Sequence, residues 1–76
     1  MTFEDLNKVF RRVFDDDTLV IKPEMTAKDV EGWDSLSHVN LILAVEQTFK
    51  IRFSTKELLT FKNIGQLYQG IVDKVR

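Results

Sequence analysis

The chain has 76 residues, enough for one small domain spanning residues 1–76. It contains no cysteine and one histidine, which excludes disulfides and a thiol nucleophile and argues against a metal site. Eleven Lys and Arg residues against twelve Asp and Glu residues give a net charge of -1, so neither nucleic acid nor a membrane is expected as a partner.

The first fourteen residues predict a helix and no targeting segment. The start of the chain is acidic and lacks the basic region and apolar core of a signal peptide, and no apolar run reaches transmembrane length. We therefore expect a protein of the cytoplasm. Residues 3–14 repeat apolar side chains at steps of three and four, which predicts an amphipathic helix. Thr2 and Asp5 have the spacing of a capping box at its start.

A long connection, residues 15–33, separates this helix from the next one. Pro23 and Gly32 interrupt regular structure in it. Thr26 and Asp29 are spaced to frame one short turn of helix. Loops of this length are unusual in compact domains unless they pack or function, and this one has scattered apolar residues. We therefore expect it to lie against the core, with Trp33 as an anchor.

Residues 35–50 give the strongest helical pattern of the chain. Asp34 or Ser35 is a suitable N-cap. Leu36 and Leu43 lie seven residues apart and share a second face, which has more apolar surface than a solvated face requires. The predicted core stripe consists of four apolar residues widened by a fifth: Val39, Ile42, Val45, Phe49 and Leu41.

Two further elements complete the chain. Ser54 and Glu57 have capping-box spacing and predict a short helix, and Asn63 and Gln66 have the same spacing before a last amphipathic helix. The expected fold is therefore all-α: a small bundle of three long helices plus one or two short helices, with a long first loop.

The tripeptide Asp34-Ser35-Leu36, between the long loop and the best helix, resembles the modification motif of acyl carrier proteins. Residues 35–49, the segment 51–53 before a capped short helix, and the segment 61–64 before the last helix are also similar to that family. The resemblance covers essentially the whole chain, in the right order and at the right length. The tripeptide alone is a weak signal, but within this frame it is specific.

The resemblance implies that Ser35 carries 4'-phosphopantetheine, taken from coenzyme A by a phosphopantetheinyl transferase. The thiol of this arm would hold an acyl group as a thioester for acyl-transferring or acyl-modifying synthase enzymes, so the protein itself would not be an enzyme. The residue types suit this role, because a serine at a helix start is exposed and a helix N-terminus favours a phosphodiester. Residues expected to contribute to partner recognition are Asp34, Leu36, Leu43 and Glu46.

One departure from the family concerns charge. The second helix of its members commonly carries several acidic residues, whereas here it carries only Glu46, with Arg52 and Lys56 close behind. This predicts weak electrostatic steering towards basic partner surfaces. It favours a dedicated carrier in a polyketide, lipid or polysaccharide pathway over a role in general fatty acid synthesis.

Other functions stay open from the residues alone. A peptidyl or aminoacyl carrier would use the same arm, although Trp33 and Asp34 replace the glycine-rich residues usual before its serine. A small helical interaction module without a prosthetic group would use Ser35 only as a helix cap. His38 would allow a Ser–His hydrolase, but no third group or oxyanion hole accompanies it. A DNA-binding helix-turn-helix lacks its basic recognition helix here. A monomer is expected.

Overall fold

The structure, a computed structural model, describes residues 2–75 and has four helices in that range. They are α1, Phe3–Val13; α2, Ser35–Phe49; α3, Thr55–Leu58; and α4, Ile64–Val75. The predicted all-α fold, with three long helices, a short helix and a long first loop, is confirmed. Met1 and Arg76, the ends of the predicted 1–76 domain, lie outside the described residues, and its boundaries stay a prediction.

Two of the three predicted capping boxes form completely. At α1, Thr2 Oγ1 accepts from Asp5 N at 3.3 Å, and Asp5 Oδ2 accepts from Thr2 N at 2.8 Å. Ser54 and Glu57 exchange the same pair of bonds at α3. Each box supplies acceptors for N–H groups that have no partner inside the helix, which is why these two helices begin where they do.

The third predicted capping box, at α4, forms only in part. Asn63 Oδ1 accepts from Gln66 N at 2.8 Å, but Gln66 Oε1 accepts from Lys62 N at 2.7 Å and leaves the backbone of Asn63 without the reciprocal bond. A further donor at the start of α4 is satisfied by the long loop, because Ile64 N donates to Met25 O at 2.9 Å. The loop therefore helps to cap α4.

The long loop packs on the bundle without forming a helix. Thr26 and Asp29 frame a turn, in which Thr26 N donates to Asp29 Oδ2 and Asp29 N donates to Thr26 O, both at 2.9 Å. The predicted helical turn is absent there, because one isolated turn restricts several backbone dihedrals for a single helical hydrogen bond. Ile21 and Val30 are buried, so the expected packing of the loop on the core is confirmed.

Asn7 fastens this loop to α1. Asn7 is the one buried polar residue among the described residues, with 2% of its surface exposed. Its Nδ2 donates to Leu19 O at 2.9 Å, and its Oδ1 accepts from Ile21 N at 2.9 Å. Asn7 is not among the residues singled out from the sequence. The available signal was its place in the apolar stripe of α1, four residues after Phe3 and three before Phe10.

We expect Asn7→Ala to lower the free energy of unfolding by about 2 kcal/mol, because a buried N–H of Ile21 loses its acceptor. Chemical denaturation measures the change. Lys8→Ala is the matched control, since Lys8 is the next residue of α1 and is exposed. Equal losses in the two variants would contradict the fastening role.

The face that α2 turns to the core differs from the predicted stripe at one position. Val39 is 54% exposed, so its assignment to the core was wrong. Periodicity permits either residue 38 or residue 39 on this face, because they precede Ile42 by four and three residues. His38 turns inward, since its ring packs on Trp33. The rest of the stripe is buried or half-buried as predicted: Leu41, Ile42, Val45 and Phe49.

Candidate functional site

A tight turn before α2 sets the position of Ser35. Gly32 has a φ of 84°, a left-handed conformation that glycine adopts without steric cost, and its carbonyl accepts from Asp34 N at 3.0 Å. Asp34 is the N-cap, and its Oδ1 accepts from Ser37 N at 2.8 Å. Ser35 is therefore the first residue of the helix, exposed, and its hydroxyl is not used as the cap.

The capping bonds also change the acidity of Asp34. The backbone N–H of Ser37, followed by the Ser37 side chain, holds the pKa of the Asp34 carboxyl below its ordinary value. A hydrogen bond from a backbone N–H also lowers the pKa of Asp5 and Glu57, which accept from the N-cap residues Thr2 and Ser54. The ionised form is thus the capping form at all three helix starts.

Acid should weaken the fold through these caps. A carboxyl whose pKa is lower in the folded state contributes stability above its unfolded pKa and loses it as the pH falls through the folded value. We therefore expect the melting temperature to decrease when the pH is lowered below about 4. Asp34→Asn should show a smaller fall, because asparagine caps a helix without titrating. Identical pH dependence in the variant and the original protein would contradict this role of Asp34.

An apolar stripe on α2 runs away from Ser35 along the solvent side. Leu36 is 72% exposed and Leu43 is 51% exposed, as the sequence analysis predicted for this second face. Val39, displaced from the predicted core, lies between them in sequence and joins the same exposed surface. We call these three residues the α2 stripe. Three large apolar side chains left in water on one helix are a feature of contact surfaces.

Glu46 is placed differently from the other predicted recognition residues. It is half-buried, and its Oε2 accepts from Phe53 N at 2.9 Å. This bond ties α2 to the segment that leads into α3. Glu46 also lines a shallow surface groove with Leu43 and Arg52. The structure therefore brings Leu36 and Leu43 to one face next to Ser35, with Asp34 at its end, while Glu46 lies farther along and is bonded within the fold.

An open groove adjoins Ser35, and a smaller cavity lies beside it. The groove is lined by Ala27, Trp33, Asp34, Ser35, His38 and Val39. The cavity has a volume of about 100 Å³ and is bounded on the far side by Phe61 and Leu67. Ala27, Trp33 and His38 line both spaces and so form the wall between them.

Trp33 anchors the loop, as expected, and also holds His38. Its ring packs edge-on against Phe10, with 5.4 Å between ring centroids, and also contacts the ring of Phe14. The His38 ring lies beside it, nearly parallel, with 6.0 Å between ring centroids and an interplanar angle of 17°, and Trp33 Nε1 donates to His38 Nδ1 at 3.1 Å. Trp33 directly precedes the N-cap and His38 is the fourth residue of α2, and these are the two positions that a hydrophobic staple connects at a helix start. His38 is half-buried, not a polar residue of an exposed face.

This hydrogen bond argues against a Ser–His hydrolase. An indole N–H only donates, so His38 Nδ1 must accept, and the proton of the neutral ring lies on Nε2. A triad histidine has the opposite arrangement, with Nδ1–H donating to a carboxylate and Nε2 accepting the serine proton. Within residues 2–75 there is also no group of three or more side chains placed to hold a metal ion.

Comparisons with known proteins identify the family of the chain. The family model described as the phosphopantetheine attachment site matches residues 4–71. The chain is 31% identical over 75 residues to an acyl carrier protein of Phytoplasma mali, covering 99% of this chain and 89% of the relative. It is 31% identical over 71 residues to an acyl carrier protein of Helicobacter pylori, covering 93% of this chain and 91% of the relative.

The fold is also similar to that of a solved structure. The solution NMR structure of the holo acyl carrier protein from Geobacter metallireducens superposes with a TM-score of 0.92 at 44% identity, covering 97% of this chain and 85% of that one. No helix in the described range is long and apolar enough to cross a membrane. Because sequence, motif and fold agree along almost the entire chain, the protein belongs to the acyl carrier protein family, whose cofactor is a covalently attached phosphopantetheine.

Proposed function

We propose that Ser35 is the residue that bears the 4'-phosphopantetheine arm and that the protein presents acyl groups on it to partner enzymes. The observation that carries the proposal is the exposed serine at the first position of α2, with the cap supplied by Asp34. The hydroxyl can therefore be esterified without loss of the helix cap. The positive end of the α2 dipole favours the negative charge of a phosphodiester at this position.

The chain's own contribution to loading is a positioned nucleophile. Ser35 Oγ forms a bond to the phosphorus of coenzyme A that bears the pantetheine, the pyrophosphate bond breaks, and the adenosine bisphosphate leaves. The serine proton passes to a base of the transferase, because His38 has its own proton on Nε2. Once bound, the arm supplies a thiol that holds the acyl group as a thioester. Catalysis belongs to the partners, and the protein is a carrier.

The α2 stripe is the proposed docking surface for those partners. Leu36 and Leu43 stand exposed beside Ser35, so a partner that covers them meets the arm at its point of attachment. A docked partner sees the tethered acyl group at a high effective concentration. Asp34 borders the groove of Ser35 and is placed for contact with the transferase. Glu46 is also a proposed recognition residue, because it lines a surface groove together with Leu43.

A dedicated pathway, making a polyketide, a lipid or a polysaccharide, is the proposed setting. The support is the charge of α2, whose one carboxylate, Glu46, is half-buried and bonded to Phe53 N. Exposed Lys50, Arg52 and Lys56 follow, so the docking side offers little negative charge to a basic partner. Mass analysis of the thioester isolated from native cells tests this, and an ordinary long-chain fatty acyl group would contradict it. The cytoplasm and the monomeric state stay predictions.

Intact mass spectrometry tests the carrier function directly. The protein is incubated with coenzyme A, Mg²⁺ and a phosphopantetheinyl transferase of broad specificity, and peptide mapping then locates any added group. We expect one phosphopantetheine per chain, on Ser35. No gain in mass with two competent transferases acting on folded protein would reject the proposal and leave Ser35 as an ordinary helix residue of an interaction module. An aminoacyl thioester in native cells would instead favour the peptidyl carrier.

A further inference from the structure

We propose that His38, held by Trp33, is a binding residue for the phosphodiester of the arm at Ser35. The inference rests on the proposed function, since it needs the arm on Ser35, and it adds a residue outside the modification motif. His38 follows Ser35 by three residues on α2, which places the two side chains on neighbouring positions of one helix face. Both line the same open groove.

The protonation of His38 suits an anion. Its Nδ1 accepts from Trp33 Nε1 at 3.1 Å, so the neutral ring presents Nε2–H as a donor. The hydrogen bond from the indole and half-burial restrict the ring to this orientation before any ligand arrives. A donor held in place loses little side-chain entropy when it binds. The oxygens of a phosphodiester are acceptors, and no other group of the groove is a titratable donor.

The groove otherwise offers a phosphodiester little electrostatic support from side chains. The charged neighbours of the His38 ring are Asp34 in the groove and Lys62 on the cavity side. Asp34 repels an anion, although its carboxylate is bonded to Ser37 N. A hydrogen bond from His38 Nε2–H would offset part of that repulsion. With this contact, the first segment of the arm lies along the groove beside Trp33 and is not free in solvent.

Nuclear magnetic resonance tests the contact through two signals, that of the His38 ring and that of the phosphorus of the arm. The chain has a single histidine, so its ring signals need no assignment, and the loaded protein has a single phosphodiester. A phosphodiester does not titrate near neutral pH, so its phosphorus signal moves only if a neighbouring group titrates. In the loaded protein we expect the phosphorus signal to move together with the titration of the His38 ring.

Comparison of the loaded and unloaded proteins isolates the effect of the arm. Asp34 and Lys62 are present in both forms, so their influence on the ring cancels. We expect the titration midpoint of the imidazole to lie about three quarters of a pH unit higher in the loaded form, the effect of one negative charge at about 4 Å in water. In loaded Trp33→Phe, which keeps an aromatic ring but has no indole N–H, the ring should lose its fixed tautomer and the difference should shrink.

His38→Gln is the control, because glutamine cannot titrate and the phosphorus signal should then be flat across the same pH range. A flat phosphorus signal in the loaded original protein, with equal midpoints in both forms, would overturn the contact and leave Trp33 and His38 as a structural staple. That result would leave the carrier function intact. Failure of any arm to attach to folded protein is a separate result, seen as the absence of a phosphorus signal, and it would overturn both proposals.

Discussion

Ser35→Ala is expected to abolish loading completely, with no gain of mass under conditions in which the original protein gains one phosphopantetheine. The proposed attachment uses Ser35 Oγ, at the first position of α2, as the nucleophile, and alanine has no hydroxyl. The fold should persist. Ser35 is exposed, its hydroxyl is not the cap, and alanine is the best helix former, so the free energy of unfolding should change by less than about 0.5 kcal/mol.

Ser37→Ala is the matched control for that result. Ser37 lies two residues farther along α2 and keeps the backbone N–H that Asp34 caps, so this variant should fold and load as the original does. Loading of Ser35→Ala would remove Ser35 as the attachment residue, whereas loss of loading in both variants would show that the transferase also requires Ser37. A large drop in the melting temperature of Ser35→Ala would show instead that its hydroxyl is mainly structural.

Leu41→Ala should remove most of the stability of the domain. Leu41 is fully buried, and truncation of such a leucine costs about 2–5 kcal/mol through lost burial and the cavity left behind. A single core in a chain of this size rarely supplies more than about 3–5 kcal/mol in total. We therefore expect a large fraction of unfolded protein even without denaturant, measurable by urea titration of Trp33 fluorescence.

Leu43→Ala is the matched control on the same helix. The chemical change and the helix propensity are the same, but Leu43 is half exposed, so its loss of stability should stay below about 1 kcal/mol. Similar destabilisation by both substitutions would mean that Leu43 packs in the core and that the α2 stripe is not a free surface. A mild effect of Leu41→Ala would contradict the assignment of the core itself.

Local patterns determined much of this molecule from sequence alone. Hydrophobic periodicity located the three long helices, and the spacing of Thr2 with Asp5 and of Ser54 with Glu57 located two helix starts. These features depend on residues three or four apart, so the neighbouring sequence contains everything that decides them. The family resemblance was likewise readable, because a motif within an ordered frame of helices needs no contact information. That Ser35 bears the arm stays a prediction.

Features that depend on residues distant in sequence required the tertiary structure. Both His38 and Val39 fit the helical repeat of α2, and hydrophobicity favoured Val39. The ring of Trp33, held against Phe10 of α1, supplies the hydrogen bond that turns His38 inward and leaves Val39 exposed. A periodic pattern reports only which faces of a helix are apolar, not which polar group will find a partner after packing.

The same reasoning explains Asn7 and Glu46. Each is a polar residue whose partners are backbone groups of another segment, at Leu19 and Ile21 for Asn7 and at Phe53 for Glu46. Composition and spacing determined that this chain folds as a small helical bundle with an exposed serine at a helix start. Only the packed chain decided which polar side chains satisfy buried backbone groups, because an unpaired donor or acceptor becomes costly only when tertiary contacts remove it from water.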